Sequence, residues 1–587
     1  MNRGRTIVFA LVCLLAAAAM PSAVSAAEFS DVPTYHWAWT FIQGVSDAGI
    51  ATGYPDGTYK PNVVVTRDQM AVYIARAMAG SDAAVPSGPV TPKFSDVSGD
   101  YWAYRYIEYC VTGGVVQGYA DNTYRPALEV DRGAMAVYIA RAVAGGDSAV
   151  PTGPATAKFP DVATNYWAFR YVEYCADPAR GVVQGYPDGT YGPTVPVTRD
   201  QMAVYVCRAF HLTTPSQTYS VTDFFPVSSG RVWVYQYQQG EYMMSVGDAK
   251  TIGSATFTQM IQRPAGRTDY WQVTSDGLQL GGSYSANGPT DVTFQPAFSI
   301  PNGLHPGDTG TQTSSVSVNS LASGQASFTY TLVGTETVTV PLGTFQNCVK
   351  VELALTTPVG ALHEYLWLAA GVGIVKLDTR PFGGSDWADL LAYVVPSTNA
   401  PAPPYNVTDY FPLHQGDTWT YAASWGQVTN GIAGTTSLLG QSYANIVESG
   451  GSYVDYWRSA LDGIYIGGFA DDVGGTLFNP AMRIPNGMSP GQTATATTSV
   501  ITSGGAGGPA SATVQFVEAD DVYTPAGSFP ASMKWDIRFV FSAGSVDDRN
   551  YDWYAKNVGK VLWDSTAFGG SDIQTMVSGT VGGVHYP

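Results

Sequence analysis

Apolar residues recur at helical spacing through the first 210 residues and at alternating spacing through most of the remaining chain. Early in the chain, Ala38, Phe41, Ile42 and Val45 share one helical face, and Gly49 closes that run. Met70, Tyr73, Ile74, Ala77 and Met78 fall at i, i+3, i+4, i+7 and i+8, which predicts a second helix opening at Thr66. Between the two, Tyr54-Pro-Asp-Gly-Thr-Tyr59 carries the turn signal Asp-Gly. Beyond residue 218 the period drops to two. Val/Thr/Tyr-rich segments such as Thr335 to Val340 and Ser511 to Val517 are broken by Gly, Pro and Asn, the mark of antiparallel β structure. The pattern predicts a multidomain chain, all-α first and mainly β afterwards.

The helical pattern is written three times. Phe29-Ser-Asp-Val32, Phe94-Ser-Asp-Val97 and Phe159-Pro-Asp-Val162 each open a unit, the first two 65 positions apart. Each opening is followed by a tryptophan (Trp37, Trp102, Trp167), a turn glycine (Gly53, Gly118, Gly185) and a helix-opening arginine (Arg67, Arg132, Arg199). The units span 27–80, 93–145 and 158–212, with Pro/Gly/Ala-rich connectors between them. One such helix pair buries little, so the three are expected to pack into one domain.

The β part is also duplicated. Val221-Thr-Asp-Phe-Phe-Pro226 matches Val407-Thr-Asp-Tyr-Phe-Pro412, Asp269-Tyr-Trp271 matches Asp455-Tyr-Trp457, and Phe382-Gly-Gly-Ser-Asp386 matches Phe568-Gly-Gly-Ser-Asp572. Two modules result, 219–395 and 405–587, each expected to form a strongly curved sheet or partly closed barrel. The Pro-rich stretch 396–404 is expected to hold them apart.

Residues 1–26 read as an export signal: Arg3 and Arg5, a short apolar core from Ile7 to Met20, and the small-residue site Val24-Ser25-Ala26. No other segment has eighteen uninterrupted apolar residues, so no helical membrane anchor is expected. Losing Arg3 and Arg5 with that leader, which carries no acid, takes the formal charge from −18 to −20. A chain this acidic repels nucleic acid. Four cysteines then remain: Cys110, Cys175, Cys207 and Cys348. Cys110 and Cys175 stand where the first unit has Val45, which favours apolar packing; a Cys175–Cys207 disulfide is the alternative in an oxidising compartment. No Cys/His cluster with zinc spacing is present.

The arginines are the candidate binding residues. Thr66-Arg67-Asp68-Gln69 and Thr198-Arg199-Asp200-Gln201 each begin with a capping box, whereas Asp131-Arg132-Gly133-Ala134 keeps an N-cap acid and loses the glutamine. A cation in a first helical turn opposes the helix dipole. Beside free helix N–H groups, however, it makes an anion site, and its planar fork suits a carboxylate or phosphate. The competing reading is a surface salt bridge to a neighbouring aspartate.

Together these motifs resemble S-layer homology repeats over residues 28–210. The resemblance implies a three-spoked domain that attaches non-covalently to a secondary cell-wall polysaccharide, in many members one bearing acidic pyruvate ketals. It makes Arg67, Arg132 and Arg199 the polymer-binding arginines, with Trp37, Trp102, Trp167, Gly53, Gly118 and Gly185 shaping the grooves; each tryptophan also fits a core role. The family's usual Thr-Arg-Ala-Glu is altered in all three units and most in the second, which leaves room for another polymer or for peptidoglycan itself. The β modules are similar to a poorly characterised class of exported bacterial domains, through Phe411-Pro-Leu…Gly416…Trp419, Pro525-Ala-Gly-Ser-Phe529 and Trp553…Val558-Gly559.

No catalytic constellation emerges. The six histidines do not recur between modules, and neither His-Glu-x-x-His nor Gly-x-Ser-x-Gly occurs. Asp471-Asp472, Asp520-Asp521 and Asp547-Asp548 suit solvated loops or a loose calcium site; otherwise no cofactor is expected. The duplicated Asp269 and Asp455 and the Gly-Gly-Ser-Asp aspartates read as turn caps. The sequence therefore describes a non-enzymatic, exported surface or S-layer-type protein, with copies of itself in a lattice as a further partner. The alternative is a glycan-binding or hydrolytic protein acting through the β modules, and a third reading places the β part in an outer membrane.

Overall fold

The structure is a computed structural model that describes residues 29–587 apart from 187, 288–289, 452 and 542–546. The leader lies outside the described residues. The chain divides into two compact units at Gln217/Thr218.

Among its described residues the first unit holds six α-helices: α1 (Trp39–Asp47), α2 (Arg67–Ala79), α3 (Tyr104–Thr112), α4 (Arg132–Ala144), α5 (Phe169–Ala176) and α6 (Arg199–Phe210). The second helix of each repeat packs on the first helix of the next, α2 on α3 and α4 on α5, and α6 returns to α1. One continuous core results, including Ile42, Ile74, Ile107, Ile139, Val172 and Val206. At its centre the segments before α2, α4 and α6 meet in a closed triangle. Val130 N–H donates to Val65 O, Val65 N–H to Val197 O and Val197 N–H to Val130 O, each at 2.9 Å. The four remaining cysteines are free and buried, so the Cys175–Cys207 alternative is not adopted.

The second unit contains two antiparallel barrels, the expected curvature carried to full closure. Strands β1 to β12 lie between Val232 and Pro396 and pair in sequence order, and β1 (Val232–Tyr237) returns to pair with β12 (Trp387–Pro396). Strands β13 to β24, between Thr418 and Val581, repeat this closure through β13 (Thr418–Ala423) and β24 (Ile573–Val581), and a short β25 (Val584–Tyr586) follows. The Trp…Val-Gly motif is a latch within each barrel. Trp233 and Trp419 Nε1–H donate at 2.6 Å to Val372 O and Val558 O, and the adjacent Gly373 and Gly559 leave room for the indole.

The alternation is apolar inward and polar outward. Along β8 (Leu321–Val340), Ala326, Phe328, Tyr330 and Leu332 are buried while Ser327, Thr329 and Thr331 are not. That is the reverse of a lipid-facing barrel. Among the described residues no helix is long and apolar enough to cross a membrane.

The proline-rich joint does not hold the barrels apart. Strand β12 pairs with β20 (Gly505–Thr524) of the second barrel, from Tyr393↔Tyr523 to Pro396↔Asp520. The rings of Tyr393 and Tyr523 stack at 4.3 Å, and Val394 and Val522 are fully buried in a core that both barrels share. Pro396 is tolerated because it ends its strand.

Candidate functional site

Each helix-opening arginine of the first unit reaches into the next repeat rather than its own. Arg67 Nε donates to Tyr124 O at 2.8 Å, Arg132 Nε to Tyr191 O at 2.7 Å, and Arg199 Nε closes the circle on Tyr59 O at 2.8 Å. The same tyrosines answer with their hydroxyls, which donate to Arg67 O, Arg132 O and Arg199 O. Three rings surround each guanidinium: Tyr119, Tyr124 and Tyr138 around Arg67; Tyr186, Tyr191 and Tyr205 around Arg132; Tyr54, Tyr59 and Tyr73 around Arg199. Among the described residues no carboxylate forms an ion pair with any of the three, so the salt-bridge reading does not apply.

The aspartate of each opening motif holds the receiving tyrosine in place. Asp31 accepts from the amides of Tyr59 and Lys60, both at 2.7 Å, and Asp96 and Asp161 do the same for Tyr124-Arg125 and Tyr191-Gly192. The motif's phenylalanine packs on that tyrosine, with ring centroids 5.3 to 5.5 Å apart. Gly53 and Gly118 have positive φ, and a Cβ there would strike Phe29 or Phe94 at 2.4 or 2.2 Å. These glycines therefore shape the turn through the phenylalanine.

The helix tips are not free. Arg67 N–H donates to Leu128 O and Asp68 N–H to Pro126 O, and the amides opening α4 and α6 are likewise taken by carbonyls of the neighbouring repeat. The expectation of an anion site built on free helix amides is thus corrected: those amides are already used.

The tryptophans are surface residues. Trp37, Trp102 and Trp167 are 46%, 57% and 59% exposed, so the core role is excluded. Trp167 lines a groove of about 470 Å³ with Gly118, Tyr119, Glu129, Asp131 and Arg67, which brings residues of all three repeats together. Equivalent neighbourhoods recur twice. Trp37 Nε1–H donates to Asp200 of the third repeat at 3.1 Å, and Arg132 reaches that repeat's turn. The Tyr101 hydroxyl beside Trp102 donates to Asp68 of the first repeat at 2.6 Å, and Arg199 stacks on that repeat's Tyr54.

The three arginines differ in what remains unused. Arg132 also bonds the Tyr205 hydroxyl and, at 3.0 Å, Gln184 O. The side chains of Arg67 and Arg199 hydrogen-bond through Nε alone among the described residues. The second motif differs in its next residue as well. Gly133 stands where the other repeats have Asp68 and Asp200, and a Cβ there would lie 2.9 Å from the Tyr166 hydroxyl.

A model of the S-layer homology domain matches residues 28–71, 93–136 and 158–203. The first unit is three S-layer homology repeats. Over 159 residues, 27% of this chain, it is 32% identical to a cellulosome-anchoring protein of Acetivibrio thermocellus, covering 33% of that protein. It is 34% identical over 162 residues to cell surface glycoprotein 1 of the same organism, covering 27% of this chain and 7% of that one. It is 32% identical over 123 residues to S-layer protein EA1 of Bacillus anthracis, covering 21% of this chain and 14% of that protein. The chain thus spans a third or less of the length of these relatives. With these repeats the chain is an exported cell-surface protein.

In the β unit the duplicated aspartates do not cap turns. Asp269 and Asp455 lie within strands and line the barrel cavities. Asp471 does serve its turn, accepting from the amides of Val473 and Gly474. Sequence reading also missed two clusters at the repeat junctions. Asp82 gathers Arg76, Arg105 and Tyr106, and Asp147 gathers Arg141, Arg170 and Tyr171, with both aspartate–arginine pairs at 2.7 Å in each. The signal was present in the repeated Arg-Tyr of α3 and α5, without its partner, which sits in the connector.

Proposed function

We propose that the S-layer homology repeats anchor the chain non-covalently to an anionic cell-wall polysaccharide, while the paired barrels project as a non-enzymatic surface module. The carrying observation is the groove in which Arg67 faces exposed Trp167. The arginine is oriented by its Nε bond and its tyrosine cage, and its Nη donors remain for a carboxylate-bearing sugar. An exposed indole offers a stacking face for a pyranose ring. Glu129 and Asp131 in the same groove suit sugar hydroxyls; Asp131 already accepts from Ala134 N–H at 2.7 Å. Arg199, whose Nη atoms also have no hydrogen-bond partner among the described residues, and Trp102 are the second candidate pair, whereas Arg132, spent on protein acceptors, serves mainly to lock repeats together.

The test is sedimentation of the full chain with purified wall sacculi. Trp102→Ala with Trp167→Ala, both surface changes, should weaken binding at least tenfold and leave thermal unfolding unmoved. Walls stripped of their secondary polymer should fail to retain the parent chain. Full retention on stripped walls would redirect the anchor to peptidoglycan.

A further inference from the structure

The first barrel encloses a cavity of about 410 Å³, within the range that holds one small ligand. Eight strands leave an interior that side chains can fill; twelve enclose more. The walls are mostly apolar, with Trp271, Leu280, Phe294, Phe328, Leu353 and Leu366 among them. Into this lining β10 (Gly360–Ala369) places Glu364, which is 8% exposed and has no hydrogen-bond partner among the described residues. Arg267 is the neighbouring cation, and it is already held by Asp269 at 3.1 Å. Asp386 adds another negative charge, and the Tyr242 ring lies close by. One cation thus answers three carboxylates around the cavity, of which Glu364 alone is buried while Arg267 and Asp386 reach solvent; a buried carboxylate without its own partner is costly unless further positive charge enters.

The fold does not demand a carboxylate at this position of the strand, because the second barrel replaces it. At the positions of Glu364, Leu366 and Ile374 it carries Asn550, Asp552 and Lys560. There Asn550 and Tyr554 donate to Asp552, and Lys560 lies 3.6 Å from it. Polar groups at those positions satisfy one another, whereas in the first barrel the carboxylate is left to something from outside. Ring faces in the lining favour the same kind of guest, since aromatic faces attract cations.

We propose that the first barrel binds a small amphipathic organic cation, its ammonium group on Glu364 and its apolar body against Trp271, Phe294 and Phe328. This site is independent of wall docking and could be occupied whether or not the repeats bind polysaccharide.

The experiment titrates the full chain with dansylcadaverine, a protonated amine on an aromatic body, followed by its fluorescence. One site per chain is expected, with Glu364→Gln lowering affinity at least tenfold. Leu353→Trp, which fills the cavity on the strand paired with Glu364, should also abolish binding. Asp455→Asn in the second barrel should change nothing. The parent chain provides a check that needs no variant. Burial pushes the Glu364 carboxyl up to about 7, with Arg267 opposing and Asp269 and Asp386 adding to the rise. Affinity for the amine should therefore fall about tenfold between pH 8 and pH 6, a unit below that value, where the probe stays charged. A flat pH profile, undiminished binding by Glu364→Gln, an equal loss from Asp455→Asn, or equal affinity for anilinonaphthalene sulfonate would each overturn the proposal.

Discussion

The repeat unit and the barrel unit are both built by duplication, yet burial and partners balance differently at their acids. In the repeats the charges at the junctions meet partners from the next copy. Arg132 and Arg199 end on carbonyls, while Tyr106, Arg76 and Arg105 hold Asp82 down at about 2. Burial alone would raise Asp147, but Tyr171, Arg141 and Arg170 outweigh it and hold that carboxyl at about 2 as well. In the barrels the partners of several buried acids, such as Tyr453 for Asp455 and Trp553 for Asp520, do not offset their burial. Burial pushes Glu241 up to about 8, Asp520 to about 7 and Asp455 to about 6. Copies that close into a ring present unlike faces to each other, donor to acceptor. Barrels close on themselves, so their acids face either their own interior or the neighbouring barrel.

The largest effect that would test this contrast is Arg132→Ala. Removing a buried guanidinium with three acceptors should destabilise the repeat unit by about 3 kcal/mol or more. Arg67→Ala, with one bond at a half-buried site, should cost about 1–2 kcal/mol. Hydrogen exchange followed separately in the two units measures both, since a chain of several domains does not unfold in one step. Equal losses for the two variants would erase the distinction between locking and binding arginines.

Next in size is Glu241→Gln. Glu241 is 6% exposed, and its Oε2 has no partner among the described residues. Its carboxyl binds a proton more tightly folded than unfolded, so barrel stability is greatest below about 4.5 and falls as pH rises towards 8. The glutamine variant should therefore be more stable than the parent by about 2–4 kcal/mol at pH 8.5 and no different at pH 4. The repeats should respond with the opposite sign. Asp82 and Asp147 are held low, so their contribution is present above about 4 and is lost as pH drops towards 2. Thermal scans at pH 3, 5 and 8.5, resolved by unit, would show the two responses crossing; parallel curves would refute the contrast.

Much of this was legible in the chain because both duplications keep their landmarks at fixed spacing, and each helix carries its own period and cap. Which copies meet was not legible. Arg67 and Trp167 are 100 positions apart and share a groove only because the repeats close in a circle, whereas the motif places each within its own unit. The helix amides looked free because their acceptors, Leu128 O and Pro126 O, belong to another repeat. Asp269 and Asp455 resembled turn caps because a polar residue inside a strand breaks the alternation, and only barrel closure reveals a cavity that receives it. Pro396 read as a spacer because proline usually ends pairing; here it ends a strand already joined to the other barrel.

The smallest effect is expected at the cysteines. Val45 of the first repeat corresponds to Cys110 and Cys175, which are buried with their Sγ atoms 3.5 and 3.6 Å from Ala71 O and Ala136 O. Burial raises both thiols, Cys175 to about 12, so neither is a thiolate at neutral pH. A buried thiol of this kind packs as a small hydrophobe with a weak donor. Cys110→Val and Cys175→Val should therefore change the stability of the repeat unit by less than about 1 kcal/mol, since valine has nearly the same volume and the lost S–H donor is weak. Reductant should leave the unfolding temperature of the parent unchanged. A loss well beyond that bound would mean that the cysteine repeats are tuned differently from the valine repeat. In that case the three junctions would not be equivalent, and the ring of complementary copies would be less symmetric than its bonds indicate.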